Sequence, residues 1–206
     1  MVQTLQATEV TLRTLIDRFG LVRINDQQFF REWQEDLPEI TEADQQFLDR
    51  IKASYLNLLE NPPLLERAVQ LVIVSPLLFL AGFYQLPFQI KTEHSIEVEI
   101  EDEGVVVRGL LDILILKQNF WLRVVESKRL AISIDESLAQ LLAYMLANSD
   151  HQRPCYGLIT NGASFLFVKL IQQERPCYAM SDQFNILNQT NGLENVFRIL
   201  KRIEQL

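Results

Sequence analysis

Residues 105–128 read VVVRGLLDILILKQNFWLRVVESK, and the fold turns on how this stretch is divided. Gln118-Asn119 breaks two apolar runs, so Val105 to Lys117 and Phe120 to Lys128 are expected as antiparallel strands. Upstream, Ile96, Val98 and Ile100 alternate with Ser95, Glu97 and Glu99. That period of two describes a strand with one buried face. Asp102-Glu103-Gly104 supplies the turn between it and Val105. The reading is a meander of three antiparallel strands.

The third strand carries Glu126 and Lys128 two residues apart, so both side chains share one face about 6.6 Å apart. Asp112 lies on the preceding strand, and antiparallel pairing around Gln118-Asn119 is expected to bring it near Glu126. Two carboxylates and an ammonium then converge. Phosphodiester hydrolysis needs charge on the phosphate neutralised and a hydroxide generated, and a divalent ion held by carboxylate oxygens does both. Asp112 and Glu126 are the candidate ligands, with the Ser127 carbonyl as a third. Lys128 would orient or deprotonate water and stabilise developing negative charge. An E-x-K tripeptide by itself also fits the solvated end of a strand. Its place after Leu122-Arg123-Val124-Val125, one hairpin from Asp112, gives it weight.

Before the meander the chain reads mainly as helix. Helices are expected over Val10 to Phe19, Asp26 to Trp33 and Thr41 to Leu59. In the last, Phe47, Ile51, Tyr55 and Leu58 fall on one face, and Thr41 with Asp44 caps its start. Asn61-Pro62-Pro63 closes that helix and opens another, which carries Glu66 in its first turn and should kink or end near Ser75-Pro76. After the meander, Ser133 and Glu136 form a capping box. The helix that follows has a stripe of Ile134, Leu138, Leu141, Leu142 and Met145, and fades at Asn148. Tyr156 to Thr160 and Phe165 to Ile171 are strands joined by the turn signal Asn161-Gly162. A last helix is expected from Leu193 to Leu206.

Val107-Arg108-Gly109-Leu110-Leu111-Asp112-Ile113-Leu114, then Val124-Val125-Glu126-Ser127-Lys128, Gln140 to Tyr144 and Leu158-Ile159-Thr160-Asn161-Gly162, in that order, resemble the N-terminal nuclease domain of type I restriction enzyme R subunits. This is a PD-(D/E)XK, restriction-endonuclease-like family, and the similarity covers about residues 66–170. The resemblance implies an α/β fold of α+β type, with a mixed central sheet flanked by helices. It would occupy residues 61–206, behind a helical extension over residues 1–60. It also implies Mg²⁺ or Mn²⁺ and cleavage of the DNA backbone. Carried over by motif, Asp112 and Glu126 become metal ligands, Lys128 the catalytic lysine, and Gln140 with Tyr144 the Q-x-x-x-Y pair beside the site. Spaced i, i+4, that pair shares one helix face and is expected to contact nucleic acid, through a phosphate or a base. Its alternative is a partly exposed helix flank. Arg108 and Arg129 are candidate nucleic-acid contacts. Glu66 matches the acid such nucleases place on their first core helix, and a first-turn acid favoured by the helix dipole is the alternative reading. Thr160-Asn161-Gly162 is explained by turn chemistry. Leu111 stands where the family name has proline, a mild change because the acid supplies the chemistry; no Walker A motif appears, so ATP-driven translocation is expected from another chain, a separate motor or specificity subunit, or is absent.

Composition constrains the rest. The chain has 206 residues, 48% of them hydrophobic, enough for one compact domain. Its net charge of −8 opposes strong unaided binding of DNA, because Lys and Arg contacts to phosphate supply most of that affinity. The first hundred residues hold 8 Lys/Arg against 15 Asp/Glu, the remainder 11 against 12, so the candidate catalytic half is nearly neutral. Ala68 to Phe83 is apolar but interrupted by Gln70, Ser75 and Pro76, which reads as a core element and not a membrane span. No secretory signal opens the chain, and Cys155 and Cys177, each within Arg-Pro-Cys-Tyr, form no disulfide framework. A cytoplasmic location and no membrane partner are the expectation. His94 and His151 have no zinc-ligand spacing, and no nucleotide-binding or triad-hydrolase motif is present.

The expected function is therefore a stand-alone Mg²⁺-dependent nuclease with DNA as substrate, as a homodimer if both strands are cut. The alternative is a catalytically silent nuclease-fold module that binds a protein or nucleic-acid partner.

Overall fold

A computed structural model describes residues 3–62, 65–100, 105–116, 120–124, 134–148, 151, 153–188 and 192–206. Among them eight strands form one mixed sheet: β1 (Gln3–Gln6), β2 (Val22–Arg23), β3 (Gln89–Ile100), β4 (Val105–Leu116), β5 (Phe120–Val124), β6 (Cys155–Thr160), β7 (Ser164–Gln172) and β8 (Pro176–Asn185). The expected meander is present, with β3 antiparallel to β4 and β4 antiparallel to β5. The sheet continues from β4 through β5, β6, β7 and β8 to β2. One edge of β4 is shared: β1 lies parallel to Val105–Arg108, and β5 pairs with Ile113–Ile115 farther along.

Helices cover both faces. On one side α2 (Glu42–Glu60), the run from α3 (Glu66–Val69) to α4 (Ser75–Leu80) and α6 (Gly192–Glu204) pack on Ile113, Ile115, Leu158, Phe165 and Phe167. On the other, α1 (Leu12–Phe19) and α5 (Ile134–Leu146) pack on Ile159, Leu166, Val168 and Leu170. Alternate residues of β7 thus serve opposite cores, as a two-sided sheet requires. The side chains from Leu138 to Leu146 are all buried, so burial on α5 extends beyond the expected apolar stripe.

Local chemistry accounts for the helix ends. Thr11 accepts the Thr14 N–H and caps α1, while Gly20, at φ 64°, closes it. At α2 the Thr41 hydroxyl accepts the Asp44 N–H at 3.1 Å and the Asp44 carboxylate accepts the Thr41 N–H at 3.0 Å. Burial pushes the Asp44 carboxyl up, but the Thr41 bonds and the charge of Lys201 outweigh it and hold it below its ordinary value. Thr41→Ala should cost about 1 kcal/mol, measured by urea denaturation. In α2 the buried face is Leu48, Ile51 and Tyr55, and Phe47, expected inside, is exposed.

Several expectations are corrected. Residues 1–60 also supply β1 and β2, strands too short to show a period. Asp26 to Trp33 is a series of turns, because the Asp26 carboxylate accepts the Gln28 N–H at 2.9 Å and diverts the backbone from helix. Of the kink or end expected near Ser75-Pro76 for the helix carrying Glu66, the end does not occur, and the helical path is irregular just before Pro76. It widens into a π-helical stretch, Gln70–Val74, where the Ser75 N–H reaches back to the Gln70 carbonyl, and resumes as α4. The wider turn accommodates a proline that has no N–H to give. β3 starts at Gln89, ahead of the expected His94, and β8 was not expected at all. The two Arg-Pro-Cys-Tyr tetrads mark equivalent places: Cys155 opens β6 and Cys177 lies at the start of β8, on either side of β7. The expected continuation of the third strand to Lys128 and the Ser133 cap lie outside the described residues.

Candidate functional site

β4 carries Asp112 into a cavity of about 780 Å³ whose opposite wall is the start of α3 and the π-helical stretch. The amide of Gln70 spans the two walls. Its Nε2 donates to Glu66 Oε1 at 3.0 Å and to Asp112 Oδ1 at 3.5 Å. The two carboxylates are therefore no farther apart than the sum of those distances. Thr92 of β3, paired with Ile113 of β4, also lines the cavity, as do Leu71, Ser75 and Tyr84. Glu66 sits in the first turn of α3, where the helix dipole favours a carboxylate, and that role coexists with its place at the cavity.

The position of α3 rests on the turn between β6 and β7. Thr160 Oγ1 accepts the Gly162 N–H, and Asn161 Oδ1 accepts the N–H groups of Ala163 at 3.1 Å and Ser164 at 2.9 Å. Gly162 has φ 87°, and a Cβ there would stand 3.0 Å from the Tyr55 ring and 3.1 Å from Val69. Its bare backbone lets α2 and α3 close onto the turn. The structural reading of Thr160-Asn161-Gly162 accounts for all of these contacts.

The other expected site residues fall as follows. Gln140 and Tyr144 do share one face of α5, and Gln140 Nε2 donates to the Tyr144 hydroxyl at 3.0 Å. Both are buried, 8% and 1% exposed, so the partly exposed flank is corrected to an interior pair. Arg108 lies on β4, in register with Gln6 on one side and Glu97 on the other. Glu126, Ser127, Lys128 and Arg129 lie outside the described residues. Among the described residues no three His, Cys, Asp or Glu side chains are grouped to hold a metal ion. No described helix is long and apolar enough to cross a membrane.

Gln70 and Tyr84 were missed by sequence reasoning. Gln70 carried a signal: it is a polar residue inside an apolar run, four residues after Glu66 and so on the same helical face. Tyr84 carried none.

A second titratable cluster lies elsewhere. Lys169 Nζ of β7 donates to Glu32 Oε1 at 2.6 Å and to the Phe29 carbonyl at 2.8 Å, and the Tyr156 hydroxyl donates to the same Oε1 at 2.9 Å. Burial pushes the Glu32 carboxyl up, but the bonds and charge of Lys169 more than reverse this and leave it below its ordinary value. Burial and the Glu32 charge drive the Tyr156 phenol far above its ordinary range. The cluster fixes the turns around residues 26–37 on the sheet.

No protein-family model matches the chain, and no curated protein matches it.

Proposed function

We propose that this chain is a metal-dependent nuclease with a restriction-endonuclease-like core, hydrolysing DNA at the site that Asp112 marks. The observation that carries the reading is the meeting of Glu66 and Asp112, from a helix and a strand far apart in sequence, across the amide of Gln70 in one open cavity. Two carboxylates in such a setting are a hard oxygen donor set, which fits Mg²⁺ or Mn²⁺. The Gln70 side chain adds a carbonyl oxygen of the same kind.

In this reading Asp112, Glu126 and Glu66 hold the ion, with the Ser127 carbonyl as a further donor. The ion would neutralise phosphate charge and acidify a bound water. Lys128 orients that water and stabilises the charge that builds on the phosphate. Gln70 keeps the Glu66 and Asp112 side chains turned toward one another. The interior Gln140 and Tyr144 pair is read as support for α5 beside the site, and Arg108 and Arg129 as phosphate contacts.

A plasmid nicking assay with Mg²⁺ or Mn²⁺ tests this. Asp112→Asn, Glu126→Ala and Lys128→Ala should each reduce cleavage by about a hundredfold or more. Gln70→Ala, which removes the amide between the two carboxylates, should lose about ten- to a hundredfold. Absence of metal-dependent cleavage, or cleavage indifferent to these changes, overturns the reading. The chain's charge of −8 favours the alternative, a silent module that binds a partner. Calorimetry separates the two, because a silent module shows no Mg²⁺ binding that Asp112→Asn abolishes.

A further inference from the structure

We propose that a second cavity, where β2 parts from β8, binds a free basic α-amino acid such as arginine. Its α-carboxylate meets Arg23 and its two cationic groups meet Asp26 and Asp182, with the Trp33 ring beside its side chain. This site is independent of the nuclease reading, since β8 stands four strand spacings from β4, about 19 Å across the sheet.

The cavity follows from the strand pairing. β2 runs parallel to β8 only at Val22 and Arg23, and the Ile24 N–H then donates to the Tyr178 carbonyl at 2.8 Å. Beyond that bond the chain turns away, with the Asp26 carboxylate accepting the Gln28 N–H at 2.9 Å, while β8 continues to Asn185. Successive backbone groups of a strand point to opposite edges, so Met180, two residues after Tyr178, presents its N–H and carbonyl to the edge that β2 has left. The gap holds about 300 Å³, enough for a small ligand, and Met180 lines it.

Its walls suit a molecule lying across the sheet edge. Arg23 is in register with Tyr178, which packs in the core of α1 and α5, and Met180 packs against the same core. Phe30 and Trp33 belong to the core on the opposite face, where the Trp33 ring meets Phe184 edge to face with centroids 6.1 Å apart. The cavity thus spans both faces, with a guanidinium toward one and an indole toward the other.

The charges name the ligand. Among the described residues on its walls the charged ones are Arg23, Asp26 and Asp182. No ion pair among the described residues neutralises any of the three. One guanidinium and two carboxylates are matched by one carboxylate and two cations, the charge set of free arginine or lysine. A guanidinium holds a carboxylate through two parallel hydrogen bonds, and a cationic side chain gains further from an indole face. A neutral amino acid would leave one wall carboxylate unmatched. An arginine inside a peptide has neither the free amine nor the free carboxylate.

Isothermal titration calorimetry on the full chain, with L-arginine as the probe, tests this. L-Arginine should bind at one site per chain, and agmatine, which lacks the carboxylate, about tenfold more weakly. Asp182→Asn, at an exposed side chain, should weaken L-arginine about tenfold. Arg23→Gln, also at an exposed position, should abolish the preference for L-arginine over agmatine. Trp33→Leu should weaken both ligands, and the two exposed substitutions carry the test should that variant fail to fold. Absence of saturable binding of both L-arginine and L-lysine overturns the proposal, as does binding indifferent to Asp182→Asn and Arg23→Gln. N-acetyl-L-arginine amide binding as tightly as L-arginine overturns it too, because the site would then take a side chain of another protein.

Discussion

Lys169→Met is expected to lower the free energy of unfolding by about 3–5 kcal/mol, the usual cost of removing one partner from a buried ion pair. The substitution keeps the aliphatic stem and deletes the ammonium that donates to Glu32 and to the Phe29 carbonyl. It also removes a cation held 5.6 Å from the Phe29 ring centroid and 6.0 Å from that of Tyr156. Glu32 would keep the Tyr156 phenol, while its other oxygen is buried with no partner among the described residues. A carboxylate left so gives up its charge.

The pH dependence follows. In the native protein the Glu32 carboxyl is depressed below 4.5, so its contribution is complete above that pH and is lost as pH falls through the folded value. Without Lys169, burial dominates and raises the folded value, so the variant instead loses stability as pH rises through it. The gap between the two proteins should therefore widen from pH 4 to pH 7. Urea denaturation at both pH values measures it, and Glu32→Gln/Lys169→Met should recover much of the loss. A gap that narrows with rising pH would contradict this account.

Phe197→Ala should cost a similar amount, about 3–5 kcal/mol. Phe197 is fully buried in the core beneath α6, with Val196, Ile199 and Leu200 beside it in sequence and equally inaccessible. Lys201 Nζ stands 5.4 Å from the ring centroid and 3.7 Å from Asp44 of α2. The deletion leaves a cavity that packed neighbours on α6 can close only in part. Leu71→Ala, at a side chain that is mostly exposed, should by contrast shift stability by no more than about 0.5 kcal/mol. Equal midpoints for the two variants would contradict this placement of the core.

What the sequence displayed was whatever has a local cause. The Thr41 and Asp44 cap, the Gly162 turn and the β3–β4–β5 meander each follow from a few neighbouring residues. β1 and β2 did not show, because four residues and two residues are too short for a period and owe their form to distant partners. β8 hid for another reason: its burial does not alternate, and its pairing with β7 slips in register between Leu166 and Val168. At the candidate site Glu66 and Asp112 were each legible, and the spacing of Gln70 from Glu66 put them on one helical face, but the reach of the Gln70 amide to Asp112, 42 residues away, has no local signal. Spacing put Gln140 and Tyr144 on one face without revealing that α1 covers that side of the sheet.

The shared sheet also sets an order of events during synthesis. Gln3–Gln6 find their partners only when Val105–Arg108 exist, and Val22 and Arg23 wait for Cys177 and Tyr178. At ribosomal speed the second delay is on the order of ten seconds, far longer than the microseconds in which a hairpin forms. β2, among the first strands to be made, is thus among the last to be secured, and the nascent chain spends that interval with Val22 and Arg23 unpaired.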